Sequence, residues 1–241
     1  MTTILATSAG FVRDRYGLRP GPMHRFAAEL AGAAHPRICV LNQATGDSRD
    51  LIANCYAAFM GTEFIASHLQ LFPAPNVPDL RAHLLEQDII WVEGGSVANL
   101  CAVWRAHGLE KILYEAWQAG VVLAGISAGS ICWHRGGTTD SYGPDLRAFT
   151  DGLGWLPYSN GVHYDSEPQR RPAMHRLVAD GTLPAGYATD DGAGLVYRGT
   201  ELVEAVTAVR GKNAYEIRKN GDKAVERALE TRLLRYEAYE A

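Results

Sequence analysis

Residues 121–130 read VVLAGISAGS, and this stretch decides the fold class that the sequence predicts. An apolar run typical of a buried strand leads directly into Gly125–Gly129, which matches the pattern G-x-S-x-G. In that pattern the serine occupies a sharp turn between a strand and a helix, and the glycines allow close backbone contact. The stretch therefore predicts a strand, a tight turn and a helix, with the hydroxyl of Ser127 lifted out of the sheet.

The chain before this turn alternates short apolar runs with helical patterns. The predicted strands are ILA (4–6), RICVLNQA (37–44), FIASHLQLF (64–72) and DIIWVEGG (88–95). The predicted helices are PMHRFAAELAGAA (22–34), DSRDLIANCYAAFMG (47–61), DLRAHLLEQ (79–87), SVANLCAVWRAHG (96–108) and LEKILYEAWQAG (109–120). Because apolar strands alternate with helices, we expect a mostly parallel sheet that is covered on both faces.

The pattern changes beyond Gly161. GLVYRGTELVEAVTAV (194–209) predicts a meander of strands, and DKAVERALETRLLRYEAY (222–239) predicts a terminal helix. The apolar stripe of that helix faces inward or packs on a second subunit, which leaves a homodimer open. Gly136, Gly137, Gly143 and Pro144 indicate a long loop after the helix that follows Ser127. We expect one α/β domain over residues 1–241, a length that suffices for one core.

Composition excludes several classes of function. The chain has 241 residues and a formal net charge of −4, without a basic stripe, so we expect no nucleic-acid partner. No apolar run is long enough to span a membrane, and no signal peptide is recognisable. Four cysteines without a C-x-x-C pair are interpreted as reduced thiols. We therefore expect a cytoplasmic protein; these four cysteines are Cys39, Cys55, Cys101 and Cys132.

If Ser127 is a nucleophile rather than a small residue in a turn, it needs a base. Three histidines lie downstream. His134 is expected two turns along the same helix, pointing away from the serine, and His175 is expected on the surface of a helix. His163, in NGVHYDSEP (160–168), begins a loop, where catalytic groups often lie. His163 is thus the candidate base, with a structural histidine as the alternative interpretation.

The base needs an acid to orient it, and the reaction needs donors for an oxyanion. Asp191 or Asp190, at the start of the strand AGLVY (193–197), is the candidate acid; a solvated turn is the alternative. The backbone N–H groups of Ala128 and of the Gly94–Gly95 turn are candidate oxyanion donors, although a plain strand–helix turn also explains the two glycines. Competing acids are Asp140, Asp151 and Asp165.

Four blocks together resemble a known family. They are WVEGGSVANL (91–100), GISAGSICW (125–133), GVHYDSEPQRR (161–171) and YATDDGAGLVY (187–197). In this order they are similar to the aspartyl dipeptidase (peptidase E) and cyanophycinase family of serine peptidases. The resemblance implies a three-layer α/β sandwich with a mostly parallel central sheet, of the flavodoxin-like kind found in class I glutamine amidotransferases.

The resemblance also implies roles for individual residues. Ser127 matches the family nucleophile, His163 the base and Asp191 the third member of the triad, with Asp190 as its neighbour. The chain order serine, histidine, acid also differs from the order serine, acid, histidine of α/β-hydrolases. The remaining matches are Gly95 and Ala128 in the oxyanion hole, Asp140 in the loop after the nucleophile helix, and Arg170 or Arg171 as ligand of a substrate aspartate.

The resemblance therefore implies a serine exopeptidase that hydrolyses small peptides with an N-terminal aspartate through an acyl-enzyme. One alternative is a related hydrolase acting on β-aspartyl or other small amides, as cyanophycinase does. Another is a non-catalytic, amidotransferase-like binding module. We expect no cofactor and no metal, because the sequence has neither H-E-x-x-H nor a cluster of cysteines and histidines at ligand spacing.

Overall fold

The structure is a computed structural model that describes residues 1–15 and 17–236. Its helices are α1 (Pro22–Ala31), α2 (Arg49–Phe59), α3 (Leu80–Leu85), α4 (Val97–Ala106), α5 (Leu109–Ala119), α6 (Ala128–Ile131) and α7 (Arg170–Ala179), with a 3₁₀ helix at Gln43–Thr45. The first eight strands are β1 (Thr3–Thr7), β2 (Val12–Asp14), β3 (Gly17–Arg19), β4 (Arg37–Leu41), β5 (Ile65–Leu69), β6 (Ile89–Val92), β7 (Val122–Ile126) and β8 (His134–Thr139). The other eight are β9 (Arg147–Phe149), β10 (Leu156–Gly161), β11 (Gly186–Thr189), β12 (Ala193–Arg198), β13 (Glu201–Thr207), β14 (Ala214–Asn220), β15 (Lys223–Ala228) and β16 (Thr231–Leu233).

The larger sheet has eight strands in the order β16-β13-β12-β1-β7-β6-β4-β5. The five strands from β1 to β5 in this order are parallel, whereas β12 joins β1 and β13 antiparallel. Two-sided burial explains the uninterrupted apolar runs in the sequence, since a strand covered on both faces has no polar side. The mostly parallel α/β sheet predicted from the sequence is confirmed.

The two faces of this sheet pack into separate cores, and strand parity decides which residue enters which core. On β6, Ile89 and Trp91 face α1 and α2, while Ile90 and Val92 face α4 and α5. All four side chains are fully buried. Burial of such side chains stabilises the fold by about 1.5–3 kcal/mol each. The carboxyl ends of β1, β4, β6 and β7 therefore lie together at one edge of a rigid sheet.

A second sheet, of six strands in the order β15-β14-β11-β10-β8-β9, lies beyond α6. Helix α7 packs on it through a satellite core that includes Met174 and Leu177. Strands β10 and β11 are parallel, and the turns after them carry the next polar residues of interest. No helix among the described residues is both long and apolar enough to cross a membrane.

Three predicted features differ from the structure. The helix after Ser127 is only Ala128–Ile131, so His134 lies on a strand and not two helical turns away. Gly136 and Gly137 belong to that strand rather than to a loop. A Cβ on Gly136 would lie 1.9 Å from the carbonyl oxygen of Phe149, and a Cβ on Gly137 would lie 2.1 Å from that of Asn160. Close packing between strands, not loop flexibility, requires these glycines.

The predicted terminal helix is also wrong over its described part. Residues 223–228 and 231–233 form β15 and β16, and residues 237–239 lie outside the described residues. The four-residue spacing of Val225, Leu229 and Leu233 is typical of a helical stripe. The antiparallel pairing of β15 with β14 determines the structure of this segment instead. Gly221, with φ 60°, begins the two-residue loop between these strands, a hairpin signal that the sequence contains.

Candidate active site

Ser127 occupies the sharp turn between β7 and α6. Its φ of 56° and ψ of −111° are unusual for a residue with a side chain, and such strain is often held at functional sites. Its backbone N–H donates to the carbonyl oxygen of Thr7 at 3.1 Å, which fixes the turn to the end of β1. Ser127 is half-buried, so the turn presents its hydroxyl at the carboxyl edge of the sheet.

The glycines around Ser127 are required by packing. A Cβ on Gly125 would lie 2.4 Å from the carbonyl oxygen of Gly129, and a Cβ on Gly129 would lie 2.2 Å from that of Val92. Both distances are too short for any side chain. Gly94 lies across the turn, since its Cβ would be 3.2 Å from Ser127 Cβ. The G-x-S-x-G pattern thus lets α6 pack against β6 and brings the Gly94–Gly95 turn beside the hydroxyl.

His163 lies in the turn after β10 and also has a positive φ, 53°. Its backbone N–H donates to Ser8 Oγ at 3.2 Å. Ser8 follows Thr7, the residue that accepts the hydrogen bond from Ser127, so the end of β1 holds the backbones of both candidate residues. Ser8 Oγ is 2.6 Å from Thr189 Oγ1, which ties the same point to β11.

Asp191 is the acid that bonds the imidazole. The distance between His163 Nδ1 and Asp191 Oδ1 is 2.6 Å. The N–H of Asp191 donates to Asp165 Oδ1 at 2.8 Å, and Asp165 forms an ion pair with Lys212. Burial raises the pKa of Asp165, but hydrogen bonds from Lys212 and from the Asp191 N–H outweigh it, so the pKa is lowered overall. These contacts hold the Asp191 backbone at the mouth of the site.

Asp190 has a different environment from its neighbour. It is 3% exposed and accepts hydrogen bonds from the Asn213 N–H at 3.0 Å and from the Tyr215 hydroxyl at 3.1 Å. Burial raises its pKa above the ordinary value. Its bonded carboxylate oxygen braces the loop before β14, so Asp191 rather than Asp190 is the partner of His163.

The other candidate acids and bases have partners elsewhere. His134 is buried between Ser130 O and the Tyr197 hydroxyl, at 2.9 and 3.1 Å, and burial lowers its pKa to about 4. His175 bonds Glu226 at 2.9 Å on the second sheet. Asp151 pairs with Arg105 at 2.7 Å. These side chains belong to the structure around the site. Among the described residues, no hydrogen bond joins Ser127 Oγ to any of them or to His163.

Gly95, in the turn after β6, and Ala128, directly after Ser127, are the two predicted oxyanion donors. Gly95 has φ 139°, and a Cβ there would lie 2.5 Å from the carbonyl oxygen of Ala44, so the turn accepts only glycine. Ala128 is the first residue of α6, where an N–H has no acceptor within the helix. Backbone hydrogen bonds in the described chain include none donated by these two groups. Both are thus available to a negatively charged oxygen.

The two predicted substrate arginines have different surroundings. Arg170 is 3% exposed, donates to Glu167 at 2.7 Å and to Thr138 O at 3.0 Å, and lies 3.9 Å from Asp140. Glu167 in turn donates its N–H to His163 O at 3.2 Å. Arg170 therefore braces the turn that carries His163. Asp140 is mostly exposed, so its contact with Arg170 is the loosest of the three.

Arg171 faces the second sheet instead. Its guanidinium lies 4.5 Å from the ring centres of both Tyr164 and Tyr215, and it forms an ion pair with Glu226. A guanidinium stacked between two rings and paired with a carboxylate is already well satisfied. These contacts argue against Arg171 as a substrate ligand, a role that the sequence analysis allowed.

Ser8 is the residue of this site that the sequence analysis missed. Its signal was present: Thr7-Ser8 follows a buried strand directly, at the edge of a parallel sheet where sites gather. Nothing in its local pattern distinguishes it from a cap or turn serine, because its partners are 155 and 181 residues away in the chain. Over the described residues, no group of three or more histidines, cysteines, aspartates or glutamates is arranged to hold a metal ion.

Comparison with solved structures supports the fold. The chain is similar to a putative peptidase E from Listeria monocytogenes EGD-e, with a TM-score of 0.59 and 16% identity over 84% of this chain and 97% of that one. It is also similar to a peptidase from an acI-B1 actinobacterium, with a TM-score of 0.65 and 17% identity over 95% of this chain and 97% of the other. At these identities the likeness concerns the fold alone.

Comparison by sequence goes further. The chain is 46% identical to an uncharacterized peptidase, YgaJ, of Bacillus subtilis (strain 168), over 182 residues that make up 76% of this chain and 78% of the relative. The model of Peptidase family S51 matches residues 5–205, a range that contains Ser127, His163 and Asp191. This chain therefore belongs to peptidase family S51 and is a serine peptidase.

Proposed function

We propose that this peptidase removes the N-terminal residue from small peptides through a triad of Ser127, His163 and Asp191. The observation that carries the proposal is the 2.6 Å contact between His163 Nδ1 and Asp191 Oδ1, beside a strained serine turn on the same sheet edge. The backbones of Ser127 and His163 are held by Thr7, the last residue of β1, and by Ser8, which follows it. Membership of a peptidase family favours this enzyme over the non-catalytic binding module.

In this proposal Ser127 Oγ attacks the carbonyl carbon of the first peptide bond, and His163 accepts the serine proton. The bond to Asp191 holds the proton of the neutral ring on Nδ1, which leaves Nε2 as the base. The imidazolium then returns the proton to the leaving amine, and an acyl-enzyme stays on Ser127. Water attacks this ester by the same proton path and releases the N-terminal amino acid.

The oxyanion of each tetrahedral intermediate would lie between the N–H groups of Gly95 and Ala128. Removal of one such donor typically costs about 2.7–4 kcal/mol of transition-state stabilisation. The turn at Gly95 is packed against Ala44 O, and Ala128 begins α6. Because both donors are fixed before substrate binds, little reorganisation opposes the reaction.

We propose an N-terminal aspartate as the substrate residue, with Arg170 as the ligand of its side-chain carboxylate. Arg170 is the arginine that braces the His163 turn, and its third partner, Asp140, is 3.9 Å away and 60% exposed. A substrate carboxylate would replace Asp140 at that guanidinium. The second candidate is a β-aspartyl or other small amide, which the same nucleophile would accept. A cytoplasmic location and a homodimer stay predictions.

The test is a substrate screen on the purified full chain with Asp-Ala, Glu-Ala, β-Asp-Ala and Leu-Ala. The proposal expects the highest kcat/KM on Asp-Ala. Arg170→Lys should lower the ratio of the rates on Asp-Ala and Leu-Ala, since lysine loses the bidentate geometry of arginine. Arg171→Lys is the matched control and should keep that ratio. Equal turnover of Leu-Ala and Asp-Ala contradicts the aspartate proposal, and a preference for β-Asp-Ala favours the second candidate.

A further inference from the structure

Two polar residues follow neighbouring strands at the sheet edge that carries the serine turn, and neither has a role in the proposed triad. Asn42 follows β4 and Glu93 follows β6, and the N–H of Glu93 donates to Leu41 O at 3.0 Å, so the two residues are neighbours. Strand alternation puts both on the face that holds Trp91, because Val40 and Trp91 lie in that core. Glu93 directly precedes Gly94, which contacts Ser127.

Asn42 is a buried amide without an oxygen or nitrogen partner. It is 1% exposed, and no hydrogen bond of ordinary geometry reaches its Nδ2 or Oδ1 within the described chain, although the Cys55 thiol is a weak hydrogen-bonding neighbour. The thiol of Cys55 lies beside it, and burial raises the pKa of that thiol to about 12, so it is neutral. Leaving a buried polar group unpaired typically costs about 1–3 kcal/mol, and such a group in a native protein calls for an explanation, of which a functional role is one.

Glu93 is a partly buried carboxylate without a cation. The carboxylate accepts a hydrogen bond from Trp91 Nε1 at 2.8 Å and is also stabilised by the backbone N–H of Gly94. The ion pairs of the described residues include none with Glu93. Burial raises its pKa to about 7, as expected for a carboxylate that lacks a positive partner. A carboxylate and an unpaired amide oxygen are both acceptors, and together they fit a group with several N–H donors.

We propose that Glu93 and Asn42 form a subsite for an ammonium group of the substrate. The inference rests on the proposed function, because it assigns a substrate group to the cleft at Ser127. The α-ammonium of the N-terminal residue is the favoured source, since only one carbon separates it from the carbonyl that Ser127 would attack. Glu93 is likewise only two residues from the Gly95 donor. A lysine side chain carries the same chemistry on a longer arm.

The subsite explains how an exopeptidase would select the chain end. An α-ammonium at Glu93 sets the first peptide bond over Ser127, whereas an acylated or internal residue leaves the carboxylate unpaired. Because an unpaired charge in a partly buried site is costly, the subsite rejects internal bonds as well as accepting terminal ones. Recognition of the end is then independent of the side chain that Arg170 would bind.

The test measures binding without turnover, on the full chain with Ser127→Ala, by calorimetry. The probes are Asp-Ala, Ala-Ala, their N-acetyl forms and N-acetyl-Lys-Ala. The free dipeptides should bind about 10- to 100-fold more tightly than their acetylated forms, the range expected for a hydrogen-bonded charge. Adding Glu93→Gln should remove that difference and leave the acetylated forms unchanged. Glu86→Gln, at the exposed C-terminal cap of α3, is the matched control and should change neither.

Each outcome bears on the inference. Tight binding of N-acetyl-Lys-Ala that depends on Glu93 supports the subsite and assigns the ammonium to a side chain. Equal binding of free and acetylated peptides, an equal loss on both in Glu93→Gln, or no binding of any probe overturns it. Hydrolysis of Asp-Ala by the unmodified chain is measured separately. Turnover without amine-dependent binding supports the proposed function and rejects the subsite. Amine-dependent binding without turnover supports the subsite and rejects the proposed function.

Discussion

His163 Nδ1 lies 2.6 Å from Asp191 Oδ1, while the adjacent Asp190 turns its carboxylate to the Asn213 N–H and the Tyr215 hydroxyl. Asp191 thus orients the imidazole ring of His163, whereas Asp190 braces the loop before β14. The first contact selects one ring tautomer and one ring orientation, the two conditions for a histidine that takes a proton from serine.

Asp191→Asn should lower kcat by about 10³- to 10⁴-fold, because an amide can hold the ring in the wrong tautomer. Steady-state hydrolysis of the best dipeptide measures this loss. Asp190→Asn is the control, since it replaces the charged acceptor of the brace by a weaker, neutral one without touching the ring. It should lower the free energy of unfolding by about 1–3 kcal/mol and leave kcat of the folded enzyme within a few-fold. A larger loss of kcat in Asp190→Asn than in Asp191→Asn would reverse the assignment.

Ser8→Ala should lower kcat by about 10- to 100-fold with little change in KM, because a misplaced base weakens the transition state more than substrate binding. The variant removes the acceptor of the His163 N–H at 3.2 Å. Ser159→Ala is the matched control: Ser159 is also buried and donates to Pro184 O at 2.6 Å, away from the site. If both variants change kcat equally, Ser8 acts through general stability and not through His163.

Gly95→Ala should lower kcat by about 10²- to 10³-fold by displacing an oxyanion donor. The new Cβ would lie 2.5 Å from Ala44 O at a backbone φ of 139°. Gly46→Ala tests for general strain, since Gly46 ends the neighbouring 3₁₀ helix with φ 66° and open space where its Cβ would be. That variant should cost about 1 kcal/mol of stability and keep kcat. Normal turnover by Gly95→Ala would remove this glycine from the oxyanion hole.

Glu93 predicts a pH dependence of stability. Burial raises its folded-state pKa from 4.5 to about 7. Between these values the unfolded chain releases the proton and the folded chain keeps it, so stability is full below the unfolded pKa and is lost as pH rises through about 7. The groups that face it do not offset this: the Cys55 thiol is neutral, Asn42 is uncharged, and burial lowers the pKa of His24, stacked on Trp91, to about 3.

Glu93→Gln avoids that loss because glutamine does not ionise. Relative to the unmodified chain, it should gain about 2 kcal/mol of unfolding free energy between pH 5 and pH 8, a figure reduced for the partial exposure of the carboxylate. Urea denaturation at both pH values measures the gain. Glu86→Gln, an exposed glutamate, should show no such trend. A constant difference across this range would mean that Glu93 is ionised throughout.

The serine turn and the parallel core could be predicted because their signals are local. An apolar run followed by glycines around Ser127 specifies strand, turn and helix within ten residues, and packing of Gly125 and Gly129 on β6 explains why. The terminal segment could not be predicted in the same way. Val225 and Leu229 repeat at a helical spacing, yet pairing with β14, a tertiary contact, decides their structure.

The residues of the candidate site also differ in whether their signals are local in the sequence. His163 and Asp191 were found because each lies in a distinctive block of sequence, but the choice between Asp190 and Asp191 needed coordinates. Asp190 and Asp191 lie in the turn between β11 and β12, and this turn directs the two adjacent carboxylates to different partners. Ser8 and Asn42 could not be recognised as candidate residues from the sequence, because their roles depend on contacts, or missing contacts, with parts of the chain far away in sequence.

The nucleophile itself is tested most directly by Ser127→Ala, through kcat/KM on the best dipeptide of the screen. Alanine keeps the turn's shape and removes only the hydroxyl. We expect kcat/KM to fall by about 10⁴-fold or more. The thermal unfolding midpoint should stay unchanged or rise, because the variant removes only a polar hydroxyl from a half-buried turn. Hydrolysis by Ser127→Ala within ten-fold of the unmodified chain, at the limit of about 1.4 kcal/mol, contradicts the account.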